Sequence, residues 1–325
     1  MKTSLTGIKP TGVPHLGNYF GAIKPALELA QQHRSLYFVA DYHALTNEKD
    51  PTRLRRSVYD VTAAWLACGL DPERTLLYRQ SAVGEVFELA WVFACVVATG
   101  QLERGHSYKD ALAKGASANA GLFNYPLLMA ADIILYDADI VPVGRDQLQH
   151  LELARDAAIR VNHLFGQGTL VVPEARLTGA PVVAGLDGRK MSKSYDNTLP
   201  LFASAKALRS AVMRIKTDST PLQAEKSAEG ATPFELYKLV AAPDQVERMA
   251  ARLHAGGYGW GHAKQDLFEA LESAFAPMRQ RYEQLRGDEP GLDAILEDGA
   301  CRARQIASRT MARVRAATGI GPLRS

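Results

Sequence analysis

The sequence predicts an α/β fold, with a doubly wound parallel sheet followed by an all-helical domain. Short apolar runs alternate with amphipathic stretches in the first half, which is the pattern of βαβ units. From about Leu201 the strand pattern disappears and only helical periodicity remains. We therefore expect an α/β domain over residues 1–200, a helical domain over 201–290, and a C-terminal helix over 291–325 that packs back on the first domain.

Each expected element has a local signal. The run LYFVAD is continuously apolar and ends in an acid, which is typical of a buried parallel strand. Asp50 and Pro51 supply an N-cap and a first-turn proline for a helix that continues to Cys68. The expected strands are Thr3–Ile8, Leu36–Asp41, Thr75–Gln80 and Asp139–Val143, with Pro181–Val183 as a candidate fifth. The other expected helices are Gly17–Gln32, Ala203–Lys216, Pro233–Ala241, Pro243–Ala255, Ala263–Leu285 and Leu292–Thr318.

Composition narrows the class of protein. Hydrophobic residues make up 47 % of the 325 residues and charged residues 22 %, as in ordinary globular proteins. The net charge of +3 gives no argument for nucleic-acid binding. The N-terminus has no apolar run of signal-peptide length, and no stretch reaches the roughly 20 apolar residues of a membrane span. Three scattered cysteines, Cys68, Cys95 and Cys301, form no CxxC pattern and favour reduced thiols in a cytoplasm.

A lysine-containing loop follows the last strand candidate. The stretch GLDGRKMSKSYDN contains KMSKS at Lys190–Ser194. In a doubly wound sheet, ligands collect at the carboxyl ends of the strands. Taken alone, two lysines three residues apart are most often a solvated turn. They indicate a polyphosphate site only if a second element elsewhere in the chain supports one.

A candidate for that second element is PHLGN at Pro14–Asn18, between the first strand and its helix. Gly17 allows the backbone to approach a ligand, and a helix N-terminus offers free N–H groups to an anion. His15 and Asn18 are three residues apart, so both can face the same phosphate. An ordinary loop histidine beside a helix start is the alternative. The sequence contains neither a P-loop nor a dinucleotide-binding glycine pattern.

The segment VGRDQ, at Val143–Gln147, follows the fourth strand. Gly144, Asp146 and Gln147 therefore stand where this architecture places ligand contacts. Asp146 can accept hydrogen bonds from ribose hydroxyls, and Gln147 can bond an ammonium or a carboxylate. A turn in which Asp146 caps the next helix is equally compatible with the sequence.

An acidic residue is embedded in the apolar helix Asn124–Asp137. Tyr125, Met129 and Asp132 fall within one narrow face of that helix. A buried carboxylate is costly without a partner. Asp132 therefore indicates either a pocket for an aromatic group that bears a hydrogen-bond donor, or a structural pair with a neighbouring arginine.

Together these motifs resemble the class I aminoacyl-tRNA synthetases of the tyrosine/tryptophan subgroup. HLGN resembles the HIGH motif, with Asn18 in place of its final histidine, and Lys190–Ser194 matches KMSKS letter for letter. Met129 stands where the tyrosine enzymes usually carry Gln. Nearly the whole chain is similar to the bacterial tryptophanyl-tRNA synthetases, through LTGIKPTGVPHLGNYFGA, LMAADIILYDADIVPVGRDQLQHLEL, VPEAR, GYG and the terminal helix that contains EDG.

The resemblance implies a Rossmann-like catalytic domain that activates tryptophan with ATP, releases pyrophosphate and transfers tryptophan to tRNA(Trp). The helical domain is then expected to contact the anticodon. Mg²⁺ is expected to bind through the ATP phosphates and not through protein side chains. The family likeness further implies a homodimer in the cytoplasm with no membrane association.

The resemblance also assigns roles to residues of this chain. The catalytic, charge-stabilising residues are His15, Lys190 and Lys193. The tryptophan-binding residues are Tyr125, Met129, Asp132 and Gln147. The ATP-binding residues are Lys9, Pro10, Thr11, Gly17, Asn18, Gly144, Arg145, Asp146, Val182, Lys190, Met191, Ser192, Lys193 and Ser194, with the Val182 backbone near adenine.

The chain departs from the family pattern at two positions. Lys9 stands where better-known bacterial forms carry Gln, and Leu5 stands where they carry Phe. The terminal helix is basic, and its face is either a phosphate-binding surface or a solvated one. Its basic residues are Arg302, Arg304, Arg309, Arg313 and Arg315.

Three other classes of protein stay open at this point. A tyrosine-specific synthetase is disfavoured by Met129. A small-molecule nucleotidylyltransferase shares the H-x-G-[HN] element but has no need of the long helical domain. A non-enzymatic paralogue that binds tRNA or a protein partner has little reason to keep both ATP motifs.

Overall fold

A five-stranded parallel sheet forms the centre of the α/β part. The computed structural model describes residues 2–105, 108–109, 119–143, 147–177 and 182–321. The strands are β1 Thr3–Ile8, β2 Arg34–Val39, β3 Leu76–Arg79, β4 Ile140–Val143 and β5 Glu174–Leu177. Their order across the sheet is β3-β2-β1-β4-β5, and every neighbouring pair is parallel.

The strand order reverses beside β1. The chain first moves outward to β2 and β3 on one side, and then returns to β4 and β5 on the other. β1 and β2 pair in register from Thr3 with Arg34 to Ile8 with Val39. Ligands in doubly wound sheets bind at such a reversal, outside the carboxyl ends of the strands. The fold therefore predicts a ligand site at the loops that follow β1, β2 and β4.

Helices pack on the sheet and make up the second half of the chain. The first helical segment consists of α1 Leu16–Asn18, a π-helical turn Tyr19–Ile23 and α2 Lys24–Ala30. The later helices are α3 Asp41–Ala44, α4 Pro51–Ala67, α5 Glu85–Val96, α6 Thr99–Glu103, α7 Ala120–Ile134, α8 Leu148–Phe165, α9 Ala205–Met213, α10 Thr232–Tyr237, α11 Pro243–Ala255, α12 Trp260–Arg286 and α13 Glu289–Thr318. Within the described ranges, no helix is long and apolar enough to cross a membrane.

The element predictions are confirmed except at two places. Four strands lie within two residues of their expected bounds, the helix Pro243–Ala255 has its expected bounds, and the other helices expected after Leu201 are present with shifted ends. The fifth strand was wrong, because β5 is Glu174–Leu177 and Val182–Val183 is not a strand. The helix expected at Gly17–Gln32 is present over residues 16–30, but its turn Tyr19–Ile23 is π-helical and not α-helical. Pro25 has no N–H for the α-helical bond to the residue four positions earlier, and the turn before it widens to a π-helix.

Two apolar cores lie on opposite faces of the sheet. Successive side chains of β2 point to opposite faces of the sheet, so that Leu36 and Phe38 belong to one core and Tyr37 and Val39 to the other. The core that contains Tyr37 also takes in the apolar side chains of α9–α12, so the second half of the chain packs directly under the first. Helix α4 begins as predicted, because Asp50 Oδ1 accepts from the backbone N–H groups of Thr52 (2.9 Å) and Arg53 (3.2 Å).

Helix α13 crosses the outer edge of the sheet at β3. Its earlier apolar side chains, Leu292 and Leu296, belong to one core, whereas Ala300 and Ala303 belong to the other. At the crossing point stands Gly299, where an added Cβ would lie 2.0 Å from the Leu77 carbonyl oxygen. Only glycine fits at this approach, so the helix backbone lies directly against the edge strand.

Candidate active site

The KMSKS loop and the HLGN turn, distant in sequence, lie together in the structure. The Lys193 ammonium donates to the Thr11 carbonyl at 2.7 Å. The Gly17 backbone N–H donates to the Met191 sulfur at 3.2 Å. An added Cβ at Gly17 would lie 3.0 Å from the His15 ring and 3.2 Å from Met191 Cβ, so glycine permits this packing. The two motifs therefore form one site at the carboxyl edge of the sheet.

The HLGN turn is held by a reciprocal pair of hydrogen bonds. His15 is the N-cap of α1, and its Nδ1 accepts from the Asn18 backbone N–H at 3.3 Å. In return, Asn18 Oδ1 accepts from the His15 backbone N–H at 3.0 Å. The Asn18 side-chain oxygen therefore orders the turn that carries His15, and the expectation that both side chains face a phosphate stays a prediction.

His15 is a neutral donor in this environment. Burial, and secondarily the positive charge of Lys193, lower the pKa of His15 to about 4. Because Nδ1 accepts a hydrogen bond, the proton of the neutral ring is on Nε2. The ring can therefore donate through Nε2 to a phosphate or to an oxygen that gains negative charge, without carrying a charge itself.

The side chain of Asn197 holds the lysine loop in place through three hydrogen bonds. Its side chain is only 2 % exposed. It donates to Asp187 Oδ1 (2.7 Å) and to the Lys190 carbonyl (3.2 Å), while its Oδ1 accepts from the Ser192 N–H (2.8 Å). The bond from Asn197 is the largest reason that the pKa of Asp187 is lowered to about 2, and Arg189 adds to it. One amide therefore ties the first three residues of the KMSKS segment to Asp187.

A cavity of about 540 Å³ opens at the carboxyl ends of β1, β2 and β4. Tyr125, Met129 and Asp132 all line it, which confirms that these three residues of α7 share one face. Lys9, His43 and Gln147 also contribute to its wall. The amino-acid-side candidates from three separate segments are thus brought to a single concave surface.

Asp132 lies at the base of this cavity with two polar partners. The residue is 3 % exposed. His43 Nε2 lies 2.8 Å from one carboxylate oxygen, and Gln80 Nε2 donates to both oxygens at 2.8 Å. Burial raises the pKa of Asp132, and the contacts with His43 and Gln80 oppose that rise. The expected alternative of an arginine partner was wrong.

A carboxylate offers about four lone-pair positions. The contacts from His43 and Gln80 do not exhaust them, so Asp132 retains capacity for one more donor from the cavity. The two partners hold its orientation in advance. Gln80 is itself buried and follows β3, and His43 is in α3, directly after β2.

Further polar groups surround the cavity. The Tyr125 hydroxyl lies 2.6 Å from His150 Nε2, and His150 is buried in α8. The Lys9 ammonium donates to Thr46 Oγ1 at 3.1 Å, and burial lowers the pKa of Lys9. Lys9 and Asp132 line the same cavity, so a positively charged and a negatively charged group both face it.

Sequence reasoning missed four residues of this neighbourhood: His43, Gln80, His150 and Asn197. His43 could have been noticed because it follows a predicted strand, and Gln80 because it is the last residue of another, so both lie at carboxyl ends. Asn197 and His150 carry no comparable signal, since a buried asparagine or histidine within a loop or helix is ordinary in the sequence.

The remaining predicted ATP residues have mixed placements. Gly144, Arg145 and Asp146 lie outside the described residues. Val182 is 74 % exposed. In the lysine loop Met191 is buried, whereas Lys190, Lys193 and Ser194 are exposed and Ser192 is half-buried; Pro10 is buried before the HLGN turn, and Thr11 is exposed. Among the residues that the structure describes, no group of three or more His, Cys, Asp or Glu side chains could hold a metal ion.

Comparison with known proteins identifies the family. The model for class I tRNA synthetases for tryptophan and tyrosine matches residues 2–276. The chain is 48 % identical to the tryptophan–tRNA ligase of Pseudomonas putida, over 99 % of this chain and 74 % of that protein. It is 47 % identical to the tryptophan–tRNA ligase of Rhodopirellula baltica, over 97 % of this chain and 99 % of that protein.

Solved structures agree with the sequence relatives. The fold superposes on tryptophanyl-tRNA synthetase from Campylobacter jejuni, complexed with ADP and tryptophan, with a TM-score of 0.93 and 43 % identity. That alignment covers 98 % of this chain and 99 % of the Campylobacter chain. The fit extends over the sheet, the HLGN and KMSKS loops and the helical second half, and the chain belongs to the class I tRNA synthetases for tryptophan and tyrosine.

Proposed function

We propose that the protein activates L-tryptophan with ATP and then transfers it to tRNA(Trp). The observation that carries this proposal is the buried acceptor Asp132 in a cavity that is also lined by Lys9, two residues before the Thr11 carbonyl to which Lys193 donates. The indole N–H is a donor with no acceptor capacity, so its partner must accept. Met129 lines the same cavity and offers a polarisable apolar surface to the ring.

The first reaction is attack by a tryptophan carboxylate oxygen on the α-phosphorus of ATP. An O–P bond forms to give tryptophanyl-AMP, and the bond to the β-phosphate oxygen breaks, so that pyrophosphate leaves with the electron pair. In the second reaction a ribose hydroxyl at the end of tRNA attacks the acyl carbon, and AMP leaves. No protein nucleophile is required, and catalysis consists of positioning and charge stabilisation.

The catalytic groups on the phosphate side are Lys190, Lys193 and His15. The lysines supply positive charge to the departing pyrophosphate, and His15 donates through Nε2 as a neutral ring. Mg²⁺, held by the ATP phosphate oxygens, adds positive charge there when bound. The described residues around this site offer cations and backbone groups and no carboxylate cluster, which suits an ion brought by the nucleotide.

The other ligand contacts are assigned by residue type and family likeness. Tyr125 and Gln147 take the ammonium end of tryptophan, with Asp132 on the indole. The ATP contacts are Lys9, Pro10, Thr11, Gly17, Asn18, Gly144, Arg145, Asp146, Val182, Met191, Ser192 and Ser194, and the Val182 backbone lies against adenine. The catalytic domain comprises residues 1–200, the tRNA-contacting helical domain 201–290, and the terminal helix 291–325.

The proposed enzyme works in the cytoplasm as a homodimer. An apolar face beside the active site supports self-association. Trp91 is 71 % exposed there and Phe87 46 %, and both line a cavity of about 470 Å³ that also reaches His43 and Tyr125. A contiguous exposed apolar surface of this kind is typical of a protein–protein interface.

A pyrophosphate exchange assay with each of the twenty amino acids tests the proposal. Exchange that depends on tryptophan and ATP is the expected result, followed by charging of a tRNA(Trp) transcript. Exchange that depends on tyrosine instead would contradict the assignment of Asp132 and Met129. Exchange without any amino acid requirement, or none at all, would favour a small-molecule nucleotidylyltransferase or a non-enzymatic role.

A further inference from the structure

A stack of three flat groups lies in the helical second half, away from the sheet. The Arg252 guanidinium carbon lies 3.9 Å from the centre of the Tyr258 ring. The His262 ring is also stacked on Tyr258, with centroids 5.7 Å apart and 23° between the planes. Arg252 is in the last turn of α11, His262 is in the first turn of α12, and Tyr258 is in the loop between them. The three form a ladder that joins two helices.

The ladder is fixed by hydrogen bonds to its edges. Asp266 accepts from the Tyr258 hydroxyl at 2.6 Å and from Arg252 at 3.0 Å. His262 Nδ1 accepts from the Gly259 backbone N–H at 3.3 Å. These bonds set the plane of each group before any ligand arrives. A ligand that stacks on the ladder therefore loses little affinity to the ordering of side chains.

The tyrosine of the ladder is buried, whereas the two groups that pack on it are accessible to solvent. Tyr258 is only 3 % exposed, while Arg252 and His262 are both exposed. A cavity of about 260 Å³ adjoins the ladder and is lined by Arg252, Ala255, Gly256, Gly257, Tyr258 and His262. The two glycines have φ of +73° and +74°, so the wall beside the rings is bare backbone. A flat ligand in this cavity would meet the exposed ring of His262.

The chemistry of the cavity selects a flat ring with a polar edge. The imidazole of His262 offers its face for stacking, and because Nδ1 accepts from Gly259, the neutral ring carries a donor at Nε2. An unpaired nucleobase has both properties, since every base has a π-face and a hydrogen-bonding edge. The only cation of the ladder, Arg252, is already paired with Asp266, so the site does not rely on phosphate charge.

We propose that this ladder is a stacking site for an unpaired base of the RNA substrate. The proposal rests on the proposed function in one respect, that the protein binds tRNA. It adds a named contact far from the chemistry, made by base stacking on His262 rather than by phosphate pairing.

The test compares His262→Ala with His262→Phe. Both variants lose the bond to the Gly259 N–H, so the difference between them reports the stacking face alone. Base stacking on an aromatic side chain corresponds to roughly a 5- to 100-fold effect on RNA affinity. His262→Ala should raise the KM for tRNA in aminoacylation by that factor, and His262→Phe should restore most of it. Tryptophan-dependent pyrophosphate exchange, which uses no RNA, should be unchanged in both.

A matched control is available on the same helix pair. Arg248→Ala removes an exposed ion pair with Asp244 on α11 and leaves the ladder intact. It should alter neither the KM for tRNA nor exchange. Binding of isolated hairpins that reproduce the anticodon arm and the acceptor arm identifies which loop supplies the base. The His262→Ala protein should bind only one of the two hairpins more weakly than the wild type does. The slope of that affinity against salt concentration should be the same in both proteins.

Three results would overturn the inference. An unchanged KM for tRNA in a folded His262→Ala protein would make the ladder purely structural. Equal damage in His262→Ala and His262→Phe would assign the effect to the lost helix cap. A changed salt slope would assign it to phosphate contacts. If instead the unmutated protein shows no tryptophan-dependent exchange and no charging, the proposed function fails, and this outcome is distinct from the other three.

Discussion

Replacement of Asn197 by alanine should slow tryptophan activation without weakening tryptophan binding. Asn197 makes three hydrogen bonds within the lysine loop and none to the tryptophan cavity. Each such bond contributes about 0.5–1.5 kcal/mol net, so the substitution removes about 1.5–4.5 kcal/mol from the ordered form of the loop. That range corresponds to roughly a 10- to 10³-fold change in an equilibrium constant.

The expected kinetic result follows from where those bonds lie. Lys190 and Lys193 act only when the loop is ordered against the ATP phosphates, so the rate of tryptophanyl-AMP formation should fall by roughly 10- to 100-fold. The assay is single-turnover activation followed by rapid quench. Tryptophan affinity is measured separately by calorimetry, and we expect it to change by less than about twofold, since no contact to that cavity is lost.

Asn162 supplies the matched control. It is also a buried asparagine, and it makes two bonds to the backbone of Leu170 at 2.8 and 2.9 Å, outside the lysine loop. Asn162→Ala should lower the free energy of unfolding by a similar amount yet leave activation nearly unchanged. If Asn197→Ala slows activation no more than Asn162→Ala does, or if it weakens tryptophan binding as much as it slows activation, then Asn197 does not act by ordering the lysine loop.

Four other substitutions test the site. Lys193→Ala should lower the activation rate by roughly 10²-fold or more while tryptophan binding persists, because the charge that it meets develops only as pyrophosphate leaves; an unchanged single-turnover rate would contradict this. Asp132→Ala should raise the tryptophan KM and narrow a selectivity over phenylalanine that a site of this kind can hold at roughly 10⁴–10⁵; a folded variant, checked by circular dichroism, that keeps the full ratio would make Asp132 structural. Lys9→Gln should weaken the salt dependence of the ATP KM, whereas Lys9→Arg should keep it, and identical slopes in all three proteins would show that the charge has no ligand. The pKa of His15 is lowered to about 4 in the folded protein, so its contribution to stability is present above about pH 6.5 and is lost as the pH falls towards 4; the wild type should therefore lose stability relative to His15→Gln over that interval, and parallel unfolding curves would refute the assignment.

The sequence predicted the interior of the sheet better than its margin. β2 is buried and flanked by strands on both sides, and it reads as an unbroken apolar run. β5 has only one neighbouring strand and the sequence EARL, in which Glu174 and Arg176 hide any apolar signal. A strand at the edge of a sheet can carry charged residues, and for this reason the apolar pattern led to Val182–Val183 instead.

The site was predictable as far as single segments carry chemistry. His15, Lys190 and Lys193 stand out locally, whereas the partners of Asp132 come from two other strand ends and become visible only in the fold.

The basic terminal helix shows the opposite case. Four of its five arginines are bonded within the protein, and the sequence could not reveal this because the acceptors lie far along the chain. These bonds are Arg302 to the Pro72 carbonyl, Arg304 to the Ala82 carbonyl, Arg313 to Asp137 and Arg315 to Glu88.

The crossing of β3 by α13 at Gly299 has a consequence for how the protein avoids aggregation. The backbone N–H and C=O groups of an uncovered strand edge can template the addition of a strand from another molecule. Here a helix of 30 residues lies against that edge, and the contact depends on one position without a side chain. A protein that lost this helix would expose hydrogen-bonding groups as well as apolar surface, and it would become prone to edge-to-edge assembly. The last helix therefore protects the solubility of a sheet whose chemistry occurs elsewhere.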